Sequence, residues 1–160
     1  MIAPNPCPQT GDPIPERAPA AVTPLFPRRR FLFLQGVPGP FLHGLGEALA
    51  ARGHTVSRIN FNGGDRQAWP RLPSVDYRGD LPGWPGFLMQ HVDAHRVTDI
   101  VLFGDCRPLH VIAIRIARRA GIDVHVLEEG YLRPDFVTLE LGGVNGHSSL
   151  PRDPAVYRAA

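Results

Sequence analysis

Short runs of apolar residues alternate along this chain with longer stretches in which apolar side chains recur at helical spacing. The apolar runs cover residues 31–35, 56–59, 98–103 and 124–127. Their length and continuity are typical of strands buried on both faces of a parallel sheet. The stretches of helical spacing cover residues 41–52, 84–96 and 108–120. This order of strands and helices predicts right-handed βαβ units and an α/β fold.

The chain divides into three segments by composition. Residues 1–27 are rich in proline and poor in apolar residues, which predicts a disordered leader. Residues 28–142 are expected to form a Rossmann-like α/β domain with a parallel sheet of four or five strands, in which residues 136–141 are one more strand or an ordered loop. Residues 143–160 are interpreted as a Gly/Ser-rich loop and a truncated C-terminal connection, as in half of a two-domain protein.

Charge and cysteine content exclude several classes of protein. The 17 basic residues, all arginine, and the 15 acidic residues leave a formal net charge of only +2, which does not indicate a nucleic-acid-binding protein. The basic run Arg28–Arg30 is interpreted as a solvated edge, with a membrane-surface or phosphate contact as the alternative. Cys7 and Cys106 give neither a disulfide framework nor zinc spacing, so a reducing compartment is predicted and no metal or cofactor is expected.

No part of the sequence resembles a secretory signal or a transmembrane segment. Prolines interrupt residues 1–26, so the apolar core of a signal peptide is missing. The apolar runs are too short to cross a bilayer. The sequence therefore predicts a cytoplasmic protein whose association with the inner membrane, if any, is peripheral.

Candidate binding residues follow from the predicted sheet, because ligands of open parallel sheets bind beyond the carboxyl ends of the strands. Four loops occupy that edge: residues 36–40, 60–65, 104–108 and 128–134. Gly36 begins the first loop, which is either a tight turn or a contact for a carboxylate or phosphate at a helix N-terminus. Asn62 and Gly63 lie in the second loop, which offers amides and flexible backbone but suits a simple turn equally well.

The third loop combines a carboxylate, a thiol and a guanidinium. Arg107 can bind a phosphate or carboxylate through two hydrogen bonds, and Asp105 can cap the helix that follows. An ion pair between Asp105 and Arg107 is the simpler alternative. Cys106 has no assigned partner and is not expected to act as a nucleophile. His110 either reaches the same cleft or is a structural histidine.

Two adjacent carboxylates, Glu128 and Glu129, follow the last of these apolar runs. Neighbouring side chains of an extended segment point in opposite directions, so one carboxylate can face the cleft and the other the protein or Arg133. A cleft carboxylate would suit general acid or base chemistry. A helix cap or a salt bridge to Arg133 is the structural alternative. Residues 142–149 suit a lid, a sugar-binding loop or an interdomain connection.

Six short strings, taken together, resemble the bacterial capsule polysaccharide biosynthesis and export family. They are Phe33–Gly36, Asn60–Asp65, Asp76–Gly79, Leu102–Pro108, Glu128–Pro134 and Gly143–Gly146. Members of that family are similar to β-Kdo glycosyltransferases, which use the nucleotide sugar CMP-Kdo to build the lipid-linked linker of capsules. The family has two Rossmann-like domains in a GT-B arrangement, and this sequence resembles the N-terminal part, which typically faces the acceptor.

The resemblance also implies roles for individual residues. Glu128 and Glu129 match an acidic pair of which one serves as acid/base catalyst, while the expected nucleophilic aspartate would lie beyond Ala160. The residues expected to contact substrate are Gly36, Asn62, Gly63, Asp105, Arg107, Arg133 and Asn145. The implied partners are CMP-Kdo, a phospholipid acceptor at the inner face of the membrane and other capsule proteins. Transferases of this arrangement can act without a metal.

Two functions from different classes remain open at this point. The first is the N-terminal domain of a β-Kdo transferase, which alone is expected to lack the donor half of the site. The second is a non-catalytic module that binds the acceptor or a partner in the capsule assembly machinery. A small phosphate-binding hydrolase would need a nucleophile and a base that the sequence does not offer.

Overall fold

The computed structural model describes residues 27–130 and 136–158, so the leader predicted for residues 1–27 lies almost entirely outside the described residues. The strands are β1 (Arg30–Phe33), β2 (Thr55–Asn60), β3 (Ser74–Asp76), β4 (Asp99–Phe103), β5 (Asp123–Glu129) and β6 (Val137–Leu141). The helices are α1 (Phe41–Ala51), α2 (Gly63–Gln67), α3 (Trp84–His95), α4 (Pro108–Ala120) and α5 (Pro154–Arg158), with a 3-10 turn at Asn145–His147. Within these two ranges, no helix combines the length and the apolar character needed to cross a bilayer.

The strands form one sheet in the order β3-β2-β1-β4-β5-β6. Neighbouring strands from β3 to β5 are parallel, and β6 pairs antiparallel with β5. This is the strand order of the Rossmann fold, so the predicted fold class is confirmed. The prediction of four or five strands was too low. It missed β3, which has only 3 residues, has two exposed positions and carries no apolar run.

Two hydrophobic cores cover the two faces of the sheet. On one face, α3 and α4 pack on the central strands, with Trp84, Leu88 and Ala113 fully buried. On the other face, α1 packs with Trp69 against Phe33 and its neighbours. All five residues of β4 are buried, which explains why its apolar run was the clearest in the sequence.

The ends of the helices follow local sequence rules, with one exception. Helix α4 begins at Pro108 and ends before Gly121, whose φ of 68° is the left-handed conformation that glycine adopts readily. Both bounds agree with the prediction. Residues 60–65 were expected to be a loop, and this was wrong in part, because Gly63 begins α2. Asn62 caps this short helix by accepting a hydrogen bond from the Asp65 amide at 2.9 Å.

The amino end of β4 carries a buried carboxylate with three partners. Asp99 is 1% exposed and accepts hydrogen bonds from Arg29 Nε at 2.6 Å and Thr98 Oγ1 at 2.6 Å, and it contacts His125 Nε2 at 2.8 Å. Burial opposes ionisation of Asp99, but these hydrogen bonds outweigh it and hold its pKa below the usual value. Arg29 also pairs with Asp123. Arg29 therefore belongs to the structural framework, so the basic run Arg28–Arg30 is not only a solvated edge.

Candidate functional site

The strand order places the topological switch point between β1 and β4. The chain proceeds outward from β1 through β2 to β3, then returns to β4 beside β1 and continues in the other direction. In open α/β sheets, ligands bind in the crevice at the carboxyl ends of the strands at such a point. The segments that follow β1, β4 and β5 are therefore the first places to look for a site.

A cleft of about 340 Å³ opens at the carboxyl ends of β4 and β5. We call it the β4–β5 cleft; its walls are residues 103–107, Glu128 and residues 144–147. It brings together four of the residues selected from the sequence, namely Asp105, Arg107, Glu128 and Asn145. Three separate segments of the chain supply these four residues.

Asp105 organises one wall of the β4–β5 cleft. Its side chain is 6% exposed, and its Oδ2 accepts hydrogen bonds from the Val144 amide at 3.0 Å and from His147 Nδ1 at 3.0 Å. Burial opposes ionisation, but the hydrogen bonds from Val144, Cys106 and His147 outweigh it and lower the pKa of Asp105. Asp105 therefore ties the 3-10 turn to the end of β4 as a carboxylate.

Two roles proposed for Asp105 from the sequence were wrong. In the described part of the chain, no side chain caps α4, whose N-cap residue is Arg107. Asp105 also forms no ion pair with Arg107 within the described residues, because its oxygens face Val144, His147 and Cys106 instead. Arg107 is exposed at the wall of the cleft, where its guanidinium is available to an anion.

His110 is a structural histidine, as one of the two alternatives stated. It is fully buried, and its Nδ1 lies 2.7 Å from the carbonyl oxygen of Gly104. Burial lowers the pKa of His110 to about 4, so the ring is neutral at physiological pH and Nδ1–H donates to that carbonyl. His110 thereby holds Gly104, which has a φ of 72°, at the base of the β4–β5 cleft.

Glu128 and Glu129 lie within β5 and not in the loop after it, which corrects their expected placement. Both pair with β6, Glu128 with Thr138 and Glu129 with Val137. Glu128 is half-buried and lines the β4–β5 cleft, with its Oε2 3.7 Å from the position that a Cβ on Gly104 would take. Glu129 is exposed and is not among the residues that line this cleft. We expected only one of these two carboxylates to face the cleft, and in this geometry that carboxylate is Glu128.

The 3-10 turn at Asn145–His147 adds a residue that the sequence analysis did not single out. His147 is 64% exposed and reaches Asp105 from 42 residues away in the chain. Asn145 has a φ of 52°, a left-handed conformation that asparagine tolerates better than most residues. In the sequence, His147 is marked only by its place in the glycine-rich stretch 142–149. That place does not predict the contact with Asp105.

Cys106 lines the same wall of the β4–β5 cleft with its thiol group. Its Sγ lies 3.2 Å from Asp105 Oδ1, and its pKa is raised by that hydrogen bond and by the nearby charges of Asp105 and Glu128. A raised pKa disfavours the thiolate, in agreement with the prediction that Cys106 is not a nucleophile. The donor atoms of Asp105, Cys106 and His147 all lie within 4.8 Å of one another, so these three side chains could hold a metal ion.

A second cleft, of about 390 Å³, lies at the carboxyl ends of β2 and β3. We call it the β2–β3 cleft; its walls are residues 60–63, Arg66 and residues 76–78. Asp76 is paired with Arg66 and with Arg78 Nη2 at 3.1 Å, and it accepts a hydrogen bond from Asn60 Nδ2 at 3.2 Å. Asn62 and Gly63 line this cleft and do not line the β4–β5 cleft. The two guanidiniums and one carboxylate leave a surplus of positive charge there.

One further predicted residue, Gly36, lines neither of these two clefts. Gly36 is buried, and a Cβ at this position would lie 2.0 Å from Leu42 Cδ1. Its visible role is thus to let β1 and α1 pack closely. Arg133, the partner suggested for Glu128 or Glu129, lies outside the described residues.

Comparison with known proteins gives a family match. The family described as capsule polysaccharide biosynthesis protein matches residues 98–160. The capsule polysaccharide export protein KpsS of Escherichia coli is 45% identical over 141 residues, which cover 86% of this chain and 36% of KpsS. The capsule polysaccharide modification protein LipB of Neisseria meningitidis serogroup A is 42% identical over 123 residues, which cover 76% of this chain and 29% of LipB.

A solved structure is also similar in part. The Bordetella bronchiseptica enzyme WbmG, solved in complex with NAD, matches with a TM-score of 0.49 and 20% identity over 67% of this chain and 39% of WbmG. The sequence relatives extend well beyond the matched region, since the chain spans about a third of the length of KpsS and LipB. The resemblance found in the sequence is confirmed, because the chain is similar to capsule polysaccharide biosynthesis proteins over residues 98–160 and to KpsS and LipB over the aligned parts.

Proposed function

We propose that this chain is the acceptor-side part of a β-Kdo transferase that acts in capsule polysaccharide biosynthesis. The observation that carries the proposal is the position of Glu128, which lies in the β4–β5 cleft beside Arg107 and Asn145. A carboxylate and a guanidinium that share one cleft can serve a reaction in which a hydroxyl group attacks and a phosphate departs. The family relationship supplies the capsule context.

Each cleft residue takes one task in this proposal. In the first step, the nucleophilic aspartate that the resemblance implies bonds to the anomeric carbon of Kdo, and CMP departs with the electron pair of its broken bond. In the second step, the acceptor hydroxyl bonds to that carbon, the aspartate departs with the electron pair, and Glu128 accepts the hydroxyl proton. Arg107 offsets the negative charge of a phosphate in the cleft. Asp105 does not touch substrate; it positions the 3-10 turn, and with it Asn145, through the Val144 amide.

The β2–β3 cleft is proposed to receive the phosphate of a phospholipid acceptor. Arg66 and Arg78 are 57% and 80% exposed and share a single carboxylate, Asp76. One positive charge therefore remains for a ligand phosphate. Asn62 and Gly63 line the same cleft. Acceptor binding there would place the protein at the inner face of the cytoplasmic membrane as a peripheral protein, beside other capsule proteins.

The experiment is a transfer assay with CMP-Kdo as donor and a phospholipid in vesicles as acceptor. It uses the longest protein product that contains this chain. We expect Kdo to appear in the lipid fraction in amounts that depend on both substrates. Hydrolysis of CMP-Kdo without labelled lipid, or no consumption of CMP-Kdo at all, would contradict the proposal.

The alternative function is a non-catalytic module that binds the acceptor or another protein of the capsule assembly machinery. The specific observation in its favour is the β2–β3 cleft, where Arg66 and Arg78 share the carboxylate of Asp76 and can bind a phosphate without a reaction. Such a module would bind the phospholipid vesicles and leave CMP-Kdo intact. The same assay therefore separates the two functions when vesicle binding is measured beside turnover.

A further inference from the structure

Three side chains with different donor atoms meet at the wall of the β4–β5 cleft. Asp105 contributes a carboxylate, Cys106 a thiol and His147 an imidazole, and the donor atoms lie within 4.8 Å of one another. Asp105 Oδ1 is 3.2 Å from Cys106 Sγ, and Asp105 Oδ2 is 3.0 Å from His147 Nδ1. Carboxylate, thiolate and imidazole are the three protein ligand types that zinc accepts.

The spacing of these atoms is close to that of a tetrahedral site. Metal–ligand bonds of about 2.0 to 2.3 Å place tetrahedral ligand atoms roughly 3.2 to 3.8 Å apart. The contact of Asp105 Oδ1 with Cys106 at 3.2 Å and the contact of Asp105 Oδ2 with His147 at 3.0 Å are both near this range, one on each oxygen of the carboxylate. Cys106 and His147 are exposed, so modest rotations of their side chains can close the remaining distance without disturbing the core.

Asp105 is a preorganised ligand. It is 6% exposed and its Oδ2 accepts a hydrogen bond from the Val144 amide, which fixes the carboxylate before any cation arrives. Backbone hydrogen bonds of this kind orient the ligands of known metal sites from behind. The turn that donates this hydrogen bond also carries His147, so one contact positions two of the three ligands.

The charge around Cys106 favours a cation. The carboxylate of Asp105 contacts the Cys106 thiol at 3.2 Å, and Glu128 lines the same cleft. A divalent cation between these groups would be attracted by both carboxylates, and a metal-bound thiol is deprotonated outright. The local surplus of negative charge would then stabilise the bound ion.

We propose that Asp105, Cys106 and His147 form a site for one divalent cation of the zinc type, with the remaining coordination position open to the β4–β5 cleft. On binding, the Cys106 thiol releases its proton to solvent. His147 coordinates through Nδ1, which releases the proton that it donates to Asp105, and the bound neutral ring carries its proton on Nε2. Sites with three protein ligands and one open position are the form that zinc takes when it also contacts a small ligand. The site does not depend on the proposed transferase activity.

The test uses cobalt as a spectroscopic substitute for zinc on the purified 160-residue chain. The chain is treated with a chelator, dialysed and titrated with Co²⁺ under anaerobic conditions. We expect a thiolate-to-cobalt charge-transfer band that saturates at one ion per chain and disappears when Zn²⁺ is added. The visible bands should have the high intensity of tetrahedral cobalt.

Variants locate the site. Cys106→Ser should abolish the charge-transfer band, and His147→Gln should weaken Zn²⁺ binding by more than the 10- to 100-fold typical of losing an outer partner. Cys7→Ser is the control for Cys106→Ser, since Cys7 is the other cysteine of the chain. His95→Gln is the control for His147→Gln, since the His95 ring contacts the His91 ring one helical turn away and this pair is another possible metal-binding position. Both controls should bind like the wild type.

Three outcomes would overturn the inference. A wild-type chain without the charge-transfer band has no thiolate–metal bond. A band that survives in Cys106→Ser and disappears in Cys7→Ser places the metal elsewhere. Zinc affinity that falls in His95→Gln and not in His147→Gln assigns binding to the α3 histidines. Circular dichroism of each variant confirms that a lost signal reflects a lost ligand and not an unfolded chain.

Discussion

At the scale of single residues, the buried histidine below the β4–β5 cleft has a measurable consequence. His110 is fully buried and neutral, with Nδ1 donating to the Gly104 carbonyl, and its Nε2 has no hydrogen-bond partner among the residues that the structure describes. A neutral buried histidine resists protonation in the folded state, whereas the same residue in the unfolded chain titrates near its ordinary value. Folding stability must therefore depend on pH through this residue.

We predict that acidification destabilises the chain through His110. Its folded-state pKa of about 4 lies below the unfolded value of about 6.5. The unfolded chain therefore binds the proton first as the pH falls through this window, and stability is lost from pH 6.5 down to pH 4. Between pH 7 and pH 5 the loss from His110 should be roughly 2 kcal/mol. Urea denaturation at several pH values measures it.

Replacement of His110 by a residue that does not titrate isolates this contribution. His110→Asn keeps a hydrogen-bond donor and should lose less stability than the wild type between pH 7 and pH 5, by that same amount. Equal pH dependence in His110→Asn and the wild type would contradict the role given to His110.

At the scale of elements, helix α1 shows how closely one layer packs on the next. Gly46 lies on the buried side of α1, where an added Cβ would be 2.6 Å from Trp69 Cη2 and 2.8 Å from Leu72 Cδ1. Gly44, two positions earlier in the same helix, has open space around it. The two glycines therefore differ in packing while sharing the same helical backbone.

We predict opposite effects of alanine at these two positions. Gly46→Ala forces a methyl group against Trp69 and Leu72 and should destabilise the chain by roughly 1 to 3 kcal/mol. Gly44→Ala only reduces the freedom of the unfolded chain and should stabilise it by up to about 1 kcal/mol. Equilibrium denaturation in urea measures both. A stabilising Gly46→Ala would show that α1 sits farther from Trp69 than described.

Elements also differ in how far the sequence predicts them. The bounds of α4 followed from Pro108 and Gly121, and β4 followed from an unbroken apolar run, because local rules decide both. Strand β3 was missed since a 3-residue strand at an exposed edge needs no apolar pattern. Helix α2 was missed because its glycines favour turns, and only the cap from Asn62 to the Asp65 amide reveals it.

At the scale of the whole molecule, the sequence could place residues on the carboxyl edge of the sheet but could not say which of them meet. Handedness rules constrain each crossover and leave the order of strands open. Only that order shows Asn62 in the β2–β3 cleft and Glu128 in the β4–β5 cleft. The contact between Asp105 and His147 spans 42 residues and has no local signal.

The proposed function depends above all on Glu128 as the acid/base group of the β4–β5 cleft. Glu128 and Glu129 are adjacent and chemically identical, yet only Glu128 is among the residues that line the cleft. Each is therefore the control for the other. Glutamine preserves the shape of both side chains and removes the ability to exchange a proton near neutral pH.

The most direct measurement is the rate of Kdo transfer from CMP-Kdo to phospholipid in Glu128→Gln and Glu129→Gln, each made in the protein that shows transfer. We expect Glu128→Gln to reduce kcat by roughly 10²- to 10⁴-fold, the usual contribution of a general acid or base. Glu129→Gln should retain a rate close to that of the wild type. Wild-type rates in Glu128→Gln, or a large loss in Glu129→Gln alone, would contradict the assignment of the cleft.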